Sequence, residues 1–143
     1  MFYEEVEVGK RYKAPGTKTI TGTEIDFIAQ LSGLDLPGFL DAEHAKTWGF
    51  KDRVTPGPYL IACMIGLMAR QGFLSDAVWM GADDISFKSP VFPCDRISSE
   101  VEVLGKKESK RGGGPVTYRW WIKNQDDKIV AEGTNTCLFP GKK

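Results

Sequence analysis

Apolar residues change their spacing twice along the chain. Between Thr21 and Gly33 they follow a helical period, with Ile25, Ile28, Ala29 and Leu31 on one side and Phe27 widening the face. Thr21 or Thr23 can accept hydrogen bonds from the free N–H groups at the start. Glu24 suits the positive helix end, and Gly33 supplies the stop. A second helix is expected from Tyr59 to about Gln71, opened by Pro56, Gly57 and Pro58 and ended by Gly72. Its residues are apolar nearly all round, from Leu60 and Ile61 to Leu67 and Met68, which predicts burial on most sides.

From residue 77 onward the period falls to two. Strands are expected over residues 77–87, 96–106, 115–123 and 128–139. Val116, Tyr118, Trp120 and Ile122 share one face, with Thr117, Arg119, Trp121 and Lys123 opposite, as in antiparallel strands covered on one side. Gln125 to Lys128 reads as a hairpin turn, and Lys107 to Gly114 as a basic, solvated loop. Residues 2–20 form an irregular lead-in with short strands. Residues 34–55 form a long loop holding one helical turn near Asp41 to Lys46, and loops of that length are usually functional or the remnant of a function. A helix buried on most sides, followed by four long antiparallel strands, has to be wrapped by them. The expected fold is α+β, a helix in a curled sheet, as one domain over residues 1–143.

Composition narrows the function. The 143 residues carry 19 basic and 19 acidic side chains, and zero net charge argues against broad electrostatic binding to nucleic acid or an anionic membrane. No apolar run reaches the roughly 18 residues of a spanning helix. The acidic, alternating N-terminus does not read as a signal peptide. Cys63, Cys94 and Cys137 are widely spaced and odd in number, the pattern of reduced thiols in a cytoplasmic protein. No ligand set for a structural zinc is present, and with one histidine a catalytic imidazole can only be His44.

Several segments resemble the MaoC-like hot-dog family, which includes (R)-specific enoyl-CoA hydratases and 3-hydroxyacyl dehydratases. Ile20-Thr21, with a helix ending in Leu31-Ser32-Gly33, is similar to the family's opening segment. Phe50 to Gly57 is similar to its "FGRPIAHG" segment before the central helix. Phe87 to Asp95 resembles "F..PV.PGD", and Asn124-Gln125-Asp126 with Ile129 to Gly133 resembles "NQdG..V..G". The resemblance covers nearly the whole chain and implies a hot-dog fold.

It also implies a chemistry that this sequence has altered. The family's hydratases use a D-x-N-P-x-H motif after the Ser-Gly pair. The Asp and His activate water, and a helix N-terminus holds the thioester oxygen. Here the Asp, Asn and His positions are held by Leu34, Leu36 and Phe39, which cannot bind or deprotonate water. Pro58 lacks an N–H, whereas Gly57 can still donate one. The resemblance therefore makes Gly57, Leu34, Leu36, Phe39 and Tyr59 the candidate substrate-binding residues, forming an apolar acyl slot. His44, Asp41 and Asp35 are the candidate relocated catalytic groups. Each also has a plain structural reading: a half-buried histidine, a cap for the turn at 42–46, and a solvated carboxylate.

Other residues read structurally. Cys63 is a packed thiol, Cys94 an exposed one in a tight turn, and Trp120 a core residue. Asp83 and Asp84, as strand neighbours, should point to opposite faces. Trp79 and Trp121 suit a pocket wall or a subunit interface. Lys106, Lys107, Lys110 and Arg111 suit a solvated turn or, alternatively, attraction of CoA phosphates.

Three functions fit these features. The first is a dyad-lacking subunit that binds an acyl-CoA or acyl-carrier thioester beside an intact MaoC-like subunit. The second is an active lyase or thioesterase with relocated groups. The third is a non-enzymatic small-ligand binder. None calls for a metal or a bound cofactor beyond the thioester itself. A monomer would leave a sheet edge open, so a homodimer or a heteromer is expected.

Overall fold

The computed structural model describes residues 1–143. A 3-10 turn (Tyr3–Glu5) and two short strands, β1 (Arg11–Lys13) and β2 (Lys18–Thr19), precede the first helix, α1 (Gly22–Ser32). Thr21 caps α1 by accepting from the Glu24 N–H at 3.2 Å, and Gly33 ends it with φ +75°. Two short helices follow, α2 (Pro37–Leu40) and α3 (Ala42–Thr47), and then the long α4 (Gly57–Arg70). The rest is β: β3 (Val78–Phe87), β4 (Arg96–Lys106), β5 (Gly114–Lys123) and β6 (Ile129–Phe139). No helix is long and apolar enough to cross a membrane.

All strand pairings are antiparallel. The sheet order is β1-β4-β5-β6-β3, and β2 also pairs with β4. Alternate residues of β4, β5 and β6 are buried and meet the apolar side of α4, which Leu60, Ile61, Cys63, Met64, Leu67 and Met68 form. This is the helix-in-curled-sheet α+β arrangement expected from the change of period. Phe73, placed after α4 by Gly72 at φ +97°, stacks on Tyr12 at 4.7 Å and meets Tyr118 edge-on at 5.3 Å.

Five details depart from the sequence reading. Helix α2 had no counterpart, since one turn leaves no periodic trace. Phe27 and Leu31 do not face the core; they stand 63% and 67% exposed because α1 packs through Ile25 and Ala29. Helix α4 is open on the side of Ala62 and Gly66. Lys106 is not in a solvated turn: its ammonium donates to the Tyr3 carbonyl at 3.0 Å and lies over the Tyr3 ring. Asp83 and Asp84 do not keep a regular alternation: the register shifts between Asp83 and Ser86, and Asp84 has φ +53°.

Trp120 is fully buried as expected, and its polar atom is satisfied. The indole N–H donates to Asn135 Oδ1 at 3.0 Å, and Asn135 Nδ2 donates to the Tyr118 hydroxyl at 3.3 Å. Gly133, opposite Trp120, leaves room for the indole: a methyl there would lie 2.5 Å from Cζ2. Removing the Asn135 amide leaves the buried Trp120 N–H without an acceptor and takes a donor from the Tyr118 hydroxyl. Asn135→Ala should therefore cost about 1–3 kcal/mol in urea unfolding. Unchanged stability would show that the network contributes nothing.

Candidate functional site

The start of α4 is short of hydrogen-bond donors. Pro58 has none, and the N–H groups of Tyr59 and Leu60 both donate to the Pro56 carbonyl, at 3.1 and 3.3 Å. The Gly57 N–H donates to no group of the protein, which leaves it as the one free donor at the positive end of the helix. A cavity of about 410 Å³ opens beside it, walled by Phe50, Val54, Thr55, Leu60, Phe87 and the segment Lys88 to Val91. The Phe87 ring packs so closely on Gly57 that a methyl there would lie 2.6 Å from its Cζ. Thr55 fixes the wall: its N–H and hydroxyl both donate to the Val91 carbonyl at 2.8 Å.

The segment from Leu34 to Arg53 forms a strap before α4. Arg53 pairs with Asp26 of α1, and its guanidinium also reaches the Phe39 carbonyl at 3.4 Å. The Val54 N–H donates to the Gly38 carbonyl at 3.2 Å. Trp48 lies against Gly38, where only a hydrogen fits, and meets Phe39 and His44 edge-on at 6.3 and 5.5 Å. Phe39 and Leu34 are half-buried, Phe39 packing on the core, while Leu36 and Asp35 are exposed. Asp41 caps α3, accepting from the Glu43 N–H at 3.0 Å. Asp35, Asp41 and His44 do not line the cavity at Gly57, and neither do Leu34, Leu36, Phe39 and Tyr59. The structure thus gives Gly57 a cavity and places the other candidates in the strap or on the far flank of α4.

Tyr59 faces that other flank. A hollow of about 200 Å³ is lined there by Tyr59, Cys63, Gly66 and Arg70 of α4, together with Lys18. Burial, then the Cys63 thiol and the Glu24 carboxylate, push the Tyr59 hydroxyl's pKa up, and burial pushes the Cys63 thiol up. One Glu24 oxygen is held by Lys18 at 3.1 Å, and the other is buried without a partner. The sequence presents Glu24 only as a helix-start acid, and nothing in its spacing signals this convergence.

A third hollow, about 370 Å³ and mostly apolar, runs along α4 between Pro58, Ile61, Ala62, Ile65 and Trp79. The open side of α4 makes its floor, and the Trp79 indole, donating to the Gly81 carbonyl at 2.9 Å, makes its wall. Trp79 therefore does line a pocket, whereas Trp121 lies on the outer sheet face beneath Arg11. No cluster of three or more His, Cys, Asp or Glu side chains is placed to hold a metal.

Comparison with known proteins matches residues 4–119 to the MaoC like domain. An (R)-specific enoyl-CoA hydratase from Aeromonas caviae is 33% identical over 110 residues, covering 77% of this chain and 80% of the relative. The solved (R)-hydratase of A. caviae superposes with a TM-score of 0.81 at 27% identity, covering 96% of this chain and 99% of that one. A structure from Archaeoglobus fulgius, described as a monoamine oxidase regulatory protein, gives 0.87 at 26% identity, covering 100% and 96%. A free N–H and a walled cavity at the start of a sheet-wrapped helix, on a sequence matched over most of its length, make this chain a member of the MaoC-like domain family.

Proposed function

We propose that this protein is a MaoC-like subunit that binds an acyl-CoA or acyl-carrier thioester without hydrating it, and works beside a subunit with an intact Asp/His motif. One observation carries the reading: the strap before α4 carries Leu34, Leu36 and Phe39, while the Gly57 N–H at the start of α4 stays free. The resemblance sets those three residues at the Asp, Asn and His positions of the hydratase motif. Apolar side chains at these three positions cannot take a proton from water, and Asp35, Asp41 and His44 do not line the cavity at Gly57, so on this reading the water-activating half of the mechanism is missing. The oxygen-holding half is retained, since a thioester carbonyl can accept from Gly57 where the helix dipole favours its partial negative charge.

The name of the A. caviae relative supports CoA thioesters as the ligand class. The apolar hollow of Ile61, Ala62, Ile65 and Trp79 suits the acyl chain, whose burial contributes about 0.8 kcal/mol per methylene. A second reading, a lyase with relocated groups, draws on the Tyr59 hydroxyl beside the half-paired Glu24 carboxylate.

The purified protein should bind enoyl-CoA thioesters in calorimetry and leave their enoyl absorbance unchanged. Turnover by the protein alone at hydratase rates would overturn the non-hydrating reading. If that turnover also fell by about two orders of magnitude in Tyr59→Phe and Glu24→Gln, the size expected for a lost general acid or base, the second reading would stand. Failure to bind any acyl-CoA across chain lengths would leave a small-ligand binder. Ala62→Glu should weaken binding of long-chain thioesters by roughly tenfold or more, about 1.4 kcal/mol, and short-chain ones less. Equal affinity for both in the variant and the wild type would exclude the α4 hollow as the acyl site.

A further inference from the structure

Two hollows meet at the first turn of α4 and differ in charge. Pro58 lines both the cavity at Gly57 and the apolar hollow of Ile61, Ile65 and Trp79. No ionisable side chain lines the apolar hollow. The Gly57 cavity has one, Lys88, and no carboxylate in its lining to balance it. A ligand that spans Pro58 therefore meets an apolar surface on one side and a positive one on the other.

Lys88 is held in place without being neutralised. Its N–H and that of Ser89 both donate to the Val130 carbonyl, at 2.7 and 3.2 Å, which fixes this segment to β6. Its ammonium lies 3.6 Å from Glu132, with half of the side chain exposed. Arg119 holds the other Glu132 oxygen at 3.2 Å. One carboxylate thus serves two cations, and positive charge is left over beside the cavity. Lys51 adds to it. It follows Phe50 of the cavity wall and lies over the ring of Phe92, the residue after Val91 of the wall, at 4.8 Å. The neighbouring Asp52 carboxylate turns instead to the Arg53 N–H at 2.7 Å.

A thioester on a pantetheine arm has the matching polarity. Its acyl chain leaves the carbonyl carbon on one side. On the other, the arm leaves the sulfur and ends in a phosphate. With the carbonyl oxygen at the Gly57 N–H, one direction puts the acyl chain in the apolar hollow and the phosphate toward Lys88. The reverse direction would desolvate a charged group against Ile61, Ile65 and Trp79 with no cation to receive it.

We propose that Lys88, assisted by Lys51, binds the phosphate of a phosphopantetheine arm and so sets the direction of the thioester across Gly57. An ammonium suits that group, because hydrogen bonds between ionised partners are roughly twice as strong as neutral ones. Coenzyme A and an acyl-carrier protein both present this phosphate. The proposal rests on the preceding reading for the ligand being a thioester, and not on whether water is added to it.

Calorimetry with one enoyl group on three carriers tests this: pantetheine, phosphopantetheine and coenzyme A. Wild type should bind the phosphopantetheine thioester roughly tenfold tighter than the pantetheine thioester, and added salt should shrink the difference. Lys88→Gln should remove most of that gain and leave affinity for the pantetheine thioester unchanged, whereas Lys88→Arg should keep the gain. Lys51→Gln should reduce it by a smaller factor. Given that gain, tighter binding of the coenzyme A thioester would identify the nucleotide-bearing carrier as the source of the phosphate. Equal affinity for the coenzyme A and phosphopantetheine thioesters would identify the arm alone, as an acyl-carrier protein presents it. Equal affinity for the pantetheine and phosphopantetheine thioesters in wild type, or a gain that survives Lys88→Gln, would overturn the proposal and leave the thioester site standing. Failure to bind any of the three would overturn the preceding reading as well. Hydration of the enoyl group would contradict only the non-hydrating part of that reading.

Discussion

The structure depends on hiding one helix. Helix α4 has an apolar side too wide for one neighbour, and the inward faces of β4, β5 and β6 supply the cover, closing into a core of 26 buried residues. Burying a side chain such as Leu60 or Met68 stabilises by roughly 1.5–3 kcal/mol, so several together dominate any surface ion pair. Once α4 is fixed against the sheet, its first turn has to sit where the strap and the segment after β3 converge. The free Gly57 N–H and its cavity follow from that placement, and the Thr55 bonds to Val91 hold the two walls together.

The strap is held by contacts that do not involve the side chains at positions 34 and 36. Arg53 holds α1 and α2 together through Asp26 and the Phe39 carbonyl, and Trp48 closes over Gly38. These contacts depend on an ion pair, a backbone carbonyl and aromatic packing, not on a polar side chain at positions 34, 36 or 39. Apolar residues there leave the strap in place and, on the proposed reading, provide no proton acceptor at those three positions. The start of α4 offers a backbone N–H, which no side-chain change at those positions can abolish.

Much of this was legible in the sequence. The long elements were, because each repeats its period over ten or more residues: α4 and β3 to β6 begin and end close to where the changes of spacing put them. The strap was legible only as a long loop with a turn near Asp41, because α2 is a single turn. The side of α1 that faces solvent was not legible, since a helical period marks Phe27 and Leu31 as apolar without showing whether anything covers them. The same holds for Asp84, whose left-handed backbone cancels the alternation that assigns strand faces. Gly57 was found because Phe50 to Gly57 resembles the family segment that precedes the central helix. Glu24 with Tyr59 was missed, and Trp79, though read as a pocket wall, could not be placed against α4, because tertiary packing joins these residues across distant parts of the chain.

The central claim is that Gly57 holds a thioester oxygen while no group in the strap activates water. One spectrum tests both halves: the amide resonances of the protein, recorded over time in a sample that also contains an enoyl-CoA. The account predicts a downfield shift of the Gly57 N–H on addition of the thioester, with the enoyl proton signals persisting unchanged. An unmoved Gly57 resonance at saturating ligand, or conversion of the enoyl signals to those of a hydroxyacyl product, would contradict it.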